Sequence, residues 1–162
     1  MSSIVAETHS LAETHALGGE LAKVLEPGVV LVLTGGLGAG KTALVQGIAK
    51  GLGITERVTS PTFTMMATHR TDGSHGIEVL LHADLYRVTS GAEADDLAIG
   101  ELVEGGAVAC VEWGDLAPEV LGNRRTLIRI EMGADEDDRR FMIEPGAIDA
   151  ARLRGALAGW IA

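Results

Sequence analysis

The run Gly35-Gly-Leu-Gly-Ala-Gly40-Lys41-Thr42 holds the residue types that a bound phosphate chain requires. Its spacing, a glycine, four residues and then Gly-Lys-Thr, is that of a phosphate-binding P-loop. Gly36, Gly38 and Gly40 leave room for phosphate oxygens against the backbone, whose N–H groups converge on an anion at the start of a helix. Lys41 has the reach to meet the β and γ phosphates, and the Thr42 hydroxyl is a ligand for Mg²⁺. Such a loop needs two further groups: a carboxylate facing the ion and a group that positions the attacking nucleophile. Glu112, at the end of an apolar run, is the natural source of the first, because a carboxylate at the C-terminal edge of a parallel strand points into the crevice where ligands bind. Asp84, on a loop just after the strand Ile77 to Ala83, is the second candidate. Guanine readers of the Asn-Lys-x-Asp kind are missing, since the only Asn, Asn123, precedes Arg124, and the three lysines follow Ala22, Gly40 and Ala49. ATP is therefore the expected nucleotide.

The elements that must hold these groups are legible from periodicity. Ser10-Leu-Ala-Glu13 has capping-box spacing, and Leu17, Leu21, Val24 and Leu25 recur on one face, which predicts a helix over about 10–25. Pro27 and Gly28 end it. Val29 to Leu33 is a short β-branched run without alternation, as in a strand covered on both faces. Residues 41–52 place Leu44, Val45, Ile48 and Leu52 at helical spacing, so strand, Gly-rich loop and helix follow one another. Phe63 to Arg70 and Ile77 to Ala83 read as a hairpin about Asp72-Gly73. Ser90-Gly-Ala-Glu93 repeats the capping spacing before an acidic helix to Glu104, and Ala107 to Val111 reads as another buried strand. Leu127 to Met132 and Arg140 to Ile143 form a last hairpin around GADEDD, with Ile128, Ile130, Phe141 and Ile143 inward by the two-residue period. A helical tail over 146–162 carries Leu153, Leu157 and Ile161 on one face. One α/β domain over 1–162 follows, without repeat or linker.

Composition narrows the partners. The 162 residues carry 13 Lys plus Arg against 23 Asp plus Glu, a net charge of −10, and such a surface repels a nucleic acid backbone. Strong direct RNA or DNA binding is not expected. The longest apolar run, Val29 to Leu33, is far short of the roughly 20 residues that span a bilayer. MSSIVAETHS lacks the basic and apolar blocks of a secretory signal. A single cysteine, Cys110, forms neither an intrachain disulfide nor a cysteine zinc cluster. The expectation is a reduced, cytoplasmic protein.

Four motifs in order carry a family resemblance: GGLGAGKT, then Ser60-Pro-Thr-Phe63, then His82-Ala-Asp-Leu-Tyr-Arg87, then Val111-Glu-Trp113. Over about Ser10 to Ile143 the chain resembles the bacterial TsaE (YjeE) family of small P-loop ATPases. The resemblance implies a P-loop NTPase three-layer sandwich, with a mixed, mainly parallel sheet and antiparallel hairpins. It also implies a role in forming threonylcarbamoyladenosine at position 37 of tRNAs that read codons beginning with A, together with the TsaD and TsaB proteins, of which TsaD transfers the threonylcarbamoyl group. Residue by residue, it makes Leu37, Gly38, Ala39, Gly40, Lys41 and Thr42 the phosphate cradle. Thr42 and Glu112 become the Mg²⁺ ligands, and Asp84 a nucleotide-site carboxylate that positions water. Ser60 to Phe63 is similar to a switch loop over the γ phosphate, with Thr62 its polar contact, and the adenine leans on the start of the first helix near Ser10 and Leu11. The chain departs from many relatives in having Gly36 where they carry Asp and Ala83 where they carry Phe.

Two other functions use a P-loop of this length. A small-molecule kinase needs an Arg-rich lid and an acceptor-binding cluster, and neither is evident. A nucleotide-gated assembly module would bind ATP and turn over negligibly alone. Other conspicuous residues have ordinary readings: His82 as a structural histidine in its strand, Arg124, Arg125, Arg139 and Arg140 as solvated hairpin residues, Cys110 as a small core residue and GADEDD as a soluble loop tip. Trp113 is equally a packed wall or a stacking surface.

Overall fold

The computed structural model describes residues 3–36, 38–61, 66–85, 99–112 and 125–161. Its elements are β1 (Ile4–Thr8), α1 (Leu11–Ala22), β2 (Val30–Thr34), α2 (Lys41–Gly51), β3 (Met66–Arg70), β4 (Val79–Asp84), α3 (Ile99–Glu104), β5 (Val108–Glu112), β6 (Arg125–Met132), β7 (Arg139–Glu144) and α4 (Ala150–Ala156). The strands form one seven-stranded sheet in the order β1-β7-β6-β2-β5-β4-β3. Its centre, β6-β2-β5-β4, is parallel, and antiparallel partners close each side: β7 and β1 beyond β6, and β3 beyond β4.

The unalternating apolar runs behave as their composition demands. In β2, Leu31 and Leu33 enter one core cluster while Val30 and Val32 enter the other; in β5, Val108 and Cys110 take the first side and Ala109 and Val111 the second. The first cluster is closed by α1, α2 and α4 through Leu17, Leu21, Leu44, Ile48 and Leu153, the second by α3 through Ile99, Leu102 and Val103. This is the expected three-layer α/β sandwich with a mixed sheet. The β6–β7 hairpin alternates as read, with Ile128, Ile130, Phe141 and Ile143 buried.

Local chemistry sets the boundaries. Ser10 caps α1, its Oγ accepting from the Glu13 N–H at 3.0 Å, but the regular helix ends at Ala22 rather than near residue 25. The 71–78 turn is held by Asp72, whose Oδ1 accepts from the Ser74 N–H at 2.9 Å. Of the acidic helix only Ile99–Glu104 falls within the described residues, and the Ser90–Glu93 capping spacing lies outside them. One segment goes unread in the sequence and one reading needs correction. Ile4–Thr8 is a strand, paired with β7, although nothing in its sequence context marked it as one. The tail is helical only over Ala150–Ala156, capped by Asp149; Leu153 and Leu157 are buried, but Ile161 is past the helix and bridges Ala6 of β1 in an antiparallel contact. No helix among the described residues is long and apolar enough to cross a membrane.

The helix that starts at Lys41 is seated on α1 by glycines. A Cβ on Gly47 would lie 2.4 Å from the His15 carbonyl oxygen, and one on Gly18 would lie 2.7 Å from that of Leu44. The two backbones touch, so any side chain there moves α2 and with it the loop that α2 anchors. Gly47→Ala gains roughly 1 kcal/mol of helix propensity. Overpacking against unyielding backbone costs about 1–3 kcal/mol and here outweighs that gain. The melting temperature of Gly47→Ala is expected to fall by several degrees. Gly19→Ala, whose Cβ would have its nearest neighbour at 4.0 Å, is expected to be neutral or stabilising in the same thermal scan.

Candidate functional site

The site lies at the C-terminal edge of the parallel strands. The loop leaves β2 after Thr34 and enters α2 at Lys41, and Gly40, the residue before the helix, makes no side-chain cap bond with its first turn. Gly38 and Gly40 have φ of 77° and 109°, left-handed values that L side chains adopt only with strain. Their glycine identity is thus required by the backbone. Gly36 is different: its φ is not positive, and a Cβ there would meet nothing within 4 Å. A side chain is therefore sterically allowed at Gly36, unlike at Gly38 and Gly40. Leu37 lies outside the described residues.

Strand register brings the charged groups together. Parallel pairing sets Leu33 of β2 opposite Glu112 of β5, and Glu112 opposite Asp84 of β4. Glu112, Asp84 and Lys41 are all buried. Lys41 Nζ donates to the carbonyls of Gly35 at 2.8 Å and Gly36 at 3.0 Å. Burial pushes the Lys41 ammonium below its ordinary pKa, and the Glu112 and Asp84 carboxylates oppose that shift. Thr42 Oγ1 faces both Glu112 oxygens, at 3.4 Å and 3.3 Å. The predicted Lys41, Thr42, Asp84 and Glu112 are therefore neighbours in space. Asp84, however, does not sit on a loop beyond its strand: it is the last residue of β4, and Ser60 Oγ donates to its Oδ2 at 3.2 Å. Ser60 is thus tied to the site, while Thr62, Phe63 and Trp113 lie outside the described residues.

A hydroxyl and a carboxylate oxygen within 3.4 Å of each other are hard donors suited to Mg²⁺. Among the described residues no group of three or more His, Cys, Asp and Glu side chains could hold a metal by itself. That combination fits an ion that keeps its waters and takes further oxygens from a nucleotide.

The other rim comes from the β6–β7 hairpin, which the sequence reading treated as solvated. Register sets Thr8 opposite Arg139 and Arg139 opposite Met132, in one row across the sheet. Arg139 is pinned by backbone carbonyls, donating to Glu136 O at 2.6 Å and Asp138 O at 2.8 Å, with a longer contact to Gly38 O at 3.4 Å. Met132 Cε comes 3.7 Å from the position of a Gly38 Cβ. His9 Nδ1 and Asp138 Oδ1, 2.8 Å apart, tie the approach to α1 to the hairpin tip, and each holds the other in its charged form. Leu11, the first residue of α1, is 62% exposed and Met132 57%, so two apolar side chains stand in water at this rim. The sequence does not single out Met132 and reads Arg139 as a solvated hairpin residue, because their proximity to the loop arises from sheet order. Arg125 and Arg140 are exposed, and Arg124 lies outside the described residues. Cys110 is fully buried, and burial pushes its thiol pKa far up, which leaves it a core residue.

Comparison with known proteins gives the family. Residues 8–142 match the family model described as "Threonylcarbamoyl adenosine biosynthesis protein TsaE". Among relatives named "tRNA threonylcarbamoyladenosine biosynthesis protein TsaE", that of Treponema pallidum is 39% identical over 128 residues, which span 79% of this chain and 91% of the relative. That of Bacillus subtilis is 41% identical over 125 residues, 77% of this chain and 75% of the relative. The crystal structure of Bacillus subtilis YdiB superposes with a TM-score of 0.76 at 33% identity, covering 98% of this chain and 97% of that one.

Proposed function

The chain belongs to the TsaE family of threonylcarbamoyl adenosine biosynthesis proteins, and from that premise we propose that it is a Mg²⁺-dependent ATPase serving tRNA threonylcarbamoyladenosine formation. The observation that carries the reading is the convergence of Lys41, Thr42, Asp84 and Glu112 beside a glycine loop that leads into α2. Gly38, Ala39 and Gly40, with Leu37, cradle the phosphates through backbone N–H groups. Lys41 exchanges the loop carbonyls for the β and γ phosphates. Thr42 and Glu112 hold Mg²⁺, which supplies charge neutralisation on the phosphates. Asp84 and Lys41 act with Glu112 on the reacting groups, and Asp84 accepts a hydrogen bond from the attacking water. Thr62 contributes a contact from the switch-like segment. The adenine rests on Leu11, with Met132 across the same rim supplying the second apolar surface.

The partners in this reading are the TsaD and TsaB proteins, and the compartment is the cytoplasm. An acidic chain with a net charge of −10 suits docking on proteins rather than gripping tRNA. The test is phosphate release with purified protein, Mg²⁺ and ATP, in the presence and absence of TsaD and TsaB and without any small-molecule acceptor. Release that needs no acceptor and rises with the partners is expected; a phosphorylated small alcohol as the product would establish a kinase instead. Without an Asn-Lys-x-Asp reader, ATP is expected to compete at least as well as GTP for the site, and a competition assay that GTP wins would overturn the assignment of the nucleotide.

A further inference from the structure

His82 takes no part in the reading above, yet it touches the residue on which the metal site depends. It lies on β4 two residues before Asp84 and opposite Cys110 of β5, on the face shared with Glu112. The two-residue strand period puts His82 and Asp84 on one side of the sheet, with Glu112 reached from the neighbouring strand. The imidazole is wholly buried, and its Nε2 lies 2.5 Å from Glu112 Oε2. Its Nδ1 is equally buried and has no hydrogen-bond partner among the described residues.

Those two nitrogens decide where the proton is. A proton on Nδ1 would be a buried donor without an acceptor, and it would leave the Nε2 lone pair facing a carboxylate oxygen at contact distance. Both are unfavourable. A proton on Nε2 instead makes a short bond to a carboxylate and leaves only a bare acceptor lone pair buried. Glu112 therefore receives one strong bond from below, at Oε2, while Thr42 faces both of its oxygens from the side of the glycine loop. Without the lower bond, the hydrogen bonds left to the carboxylate among the described residues are the two longer ones from Thr42, and it is freer to turn about its terminal torsion.

We propose that His82 is a positioning residue: its Nε2–H fixes the Glu112 carboxylate in the orientation that presents oxygen to the nucleotide-bound Mg²⁺. This inference rests on the reading of Glu112 as a metal ligand. Groups that orient a metal's own ligands commonly carry about 10–100-fold of the affinity for that metal. The effect is expected in the contribution of the metal, because the group that His82 holds is the Glu112 carboxylate.

The experiment measures binding of a fluorescent ATP analogue to the full chain twice, once with saturating Mg²⁺ and once in EDTA. His82→Leu keeps the volume and removes the donor; His82→Gln places an amide N–H where Nε2 stands. His82→Leu is expected to lose about tenfold or more of the affinity that Mg²⁺ adds, with EDTA affinity unchanged. His82→Gln is expected to restore most of the Mg²⁺ increment. A merely structural histidine would lower the melting temperature and weaken both measurements together, and that outcome overturns the proposal, as does a folded His82→Leu with an intact Mg²⁺ increment. Glu112→Gln separates the inference from its premise. If it keeps the increment, the metal-ligand reading fails; if it loses the increment while His82→Leu keeps it, only the role of His82 fails. Should His82→Leu not fold, ¹⁵N spectra of histidine-labelled wild-type protein decide the matter. A protonated Nε2 that persists with Mg²⁺ and nucleotide supports the proposal, and a protonated Nδ1 overturns it.

Discussion

Lys41→Ala is expected to lower ATP turnover by about 100-fold or more, the scale on which one preorganised electrostatic contact at a transition state is lost. Lys41 Nζ is bound by the Gly35 and Gly36 carbonyls and lies within the field of Glu112 and Asp84. Removal of the ammonium leaves two buried carboxylates without the cation that the loop directs toward the phosphates, so the incoming triphosphate meets repulsion in addition to a lost contact. On the proposed reading the lysine would meet the phosphates in the ground state too, so the effect should appear in nucleotide affinity as well as in rate. Lys41→Arg is not expected to rescue: the planar guanidinium is bulkier and cannot replace a point charge in a backbone cradle. The readouts are steady-state phosphate release and analogue binding, with far-UV circular dichroism to verify the fold. A folded Lys41→Ala protein with unchanged turnover would remove the loop from the chemistry altogether.

How much of this was legible beforehand follows from the range of the interactions involved. Strand, loop and α2 were readable because a P-loop is contiguous and each part carries its own local signal. Glycines at 38 and 40 meet positive φ, Val30 to Leu33 are apolar on both faces, and Leu44, Val45 and Ile48 recur on the face that packs inward. The buried runs of β4 and β5 were equally plain, and the parallel rule then placed Glu112 at the strand edge, whereas Asp84 reads as a loop residue and reaches the same edge as the last residue of β4, opposite Glu112. What failed was contact between distant segments. β1 has only Ile4, Ala6 and Thr8 as an inward face and is a strand because β7 offers it an edge, more than 130 residues later in the chain. Ile161 was assigned to a helix because its spacing from Leu157 is helical, whereas its backbone instead meets Ala6. Arg139 looked solvated because it flanks an acidic turn, and Met132 read only as a strand end; sheet order alone carries that turn to the glycine loop.

The two carboxylates are expected to separate in their kinetics. Glu112→Ala removes the oxygen that faces Thr42, so both Mg²⁺-dependent nucleotide affinity and turnover should fall. Asp84→Ala should keep nucleotide affinity within a few-fold and lose roughly 10²–10⁴ in turnover, the usual contribution of a positioned proton acceptor. An interaction made only in the transition state lowers the rate without weakening ground-state binding. The structure sharpens how Asp84 would do this. It is fixed at the end of β4 beside Glu112, and Ser60 Oγ donates to its Oδ2, so a water held by Asp84 would be positioned by a strand-end group rather than by a loop. Ser60→Ala then releases one oxygen of Asp84 and should reproduce a small part of the Asp84→Ala loss, again in rate and not in affinity. With TsaD and TsaB present, the Asp84→Ala protein should assemble with ATP and fail to cycle. Single-turnover phosphate release set beside equilibrium binding makes the distinction. If Asp84→Ala weakens Mg²⁺-nucleotide binding as severely as Glu112→Ala, both residues serve the metal, and the water must be positioned by another group.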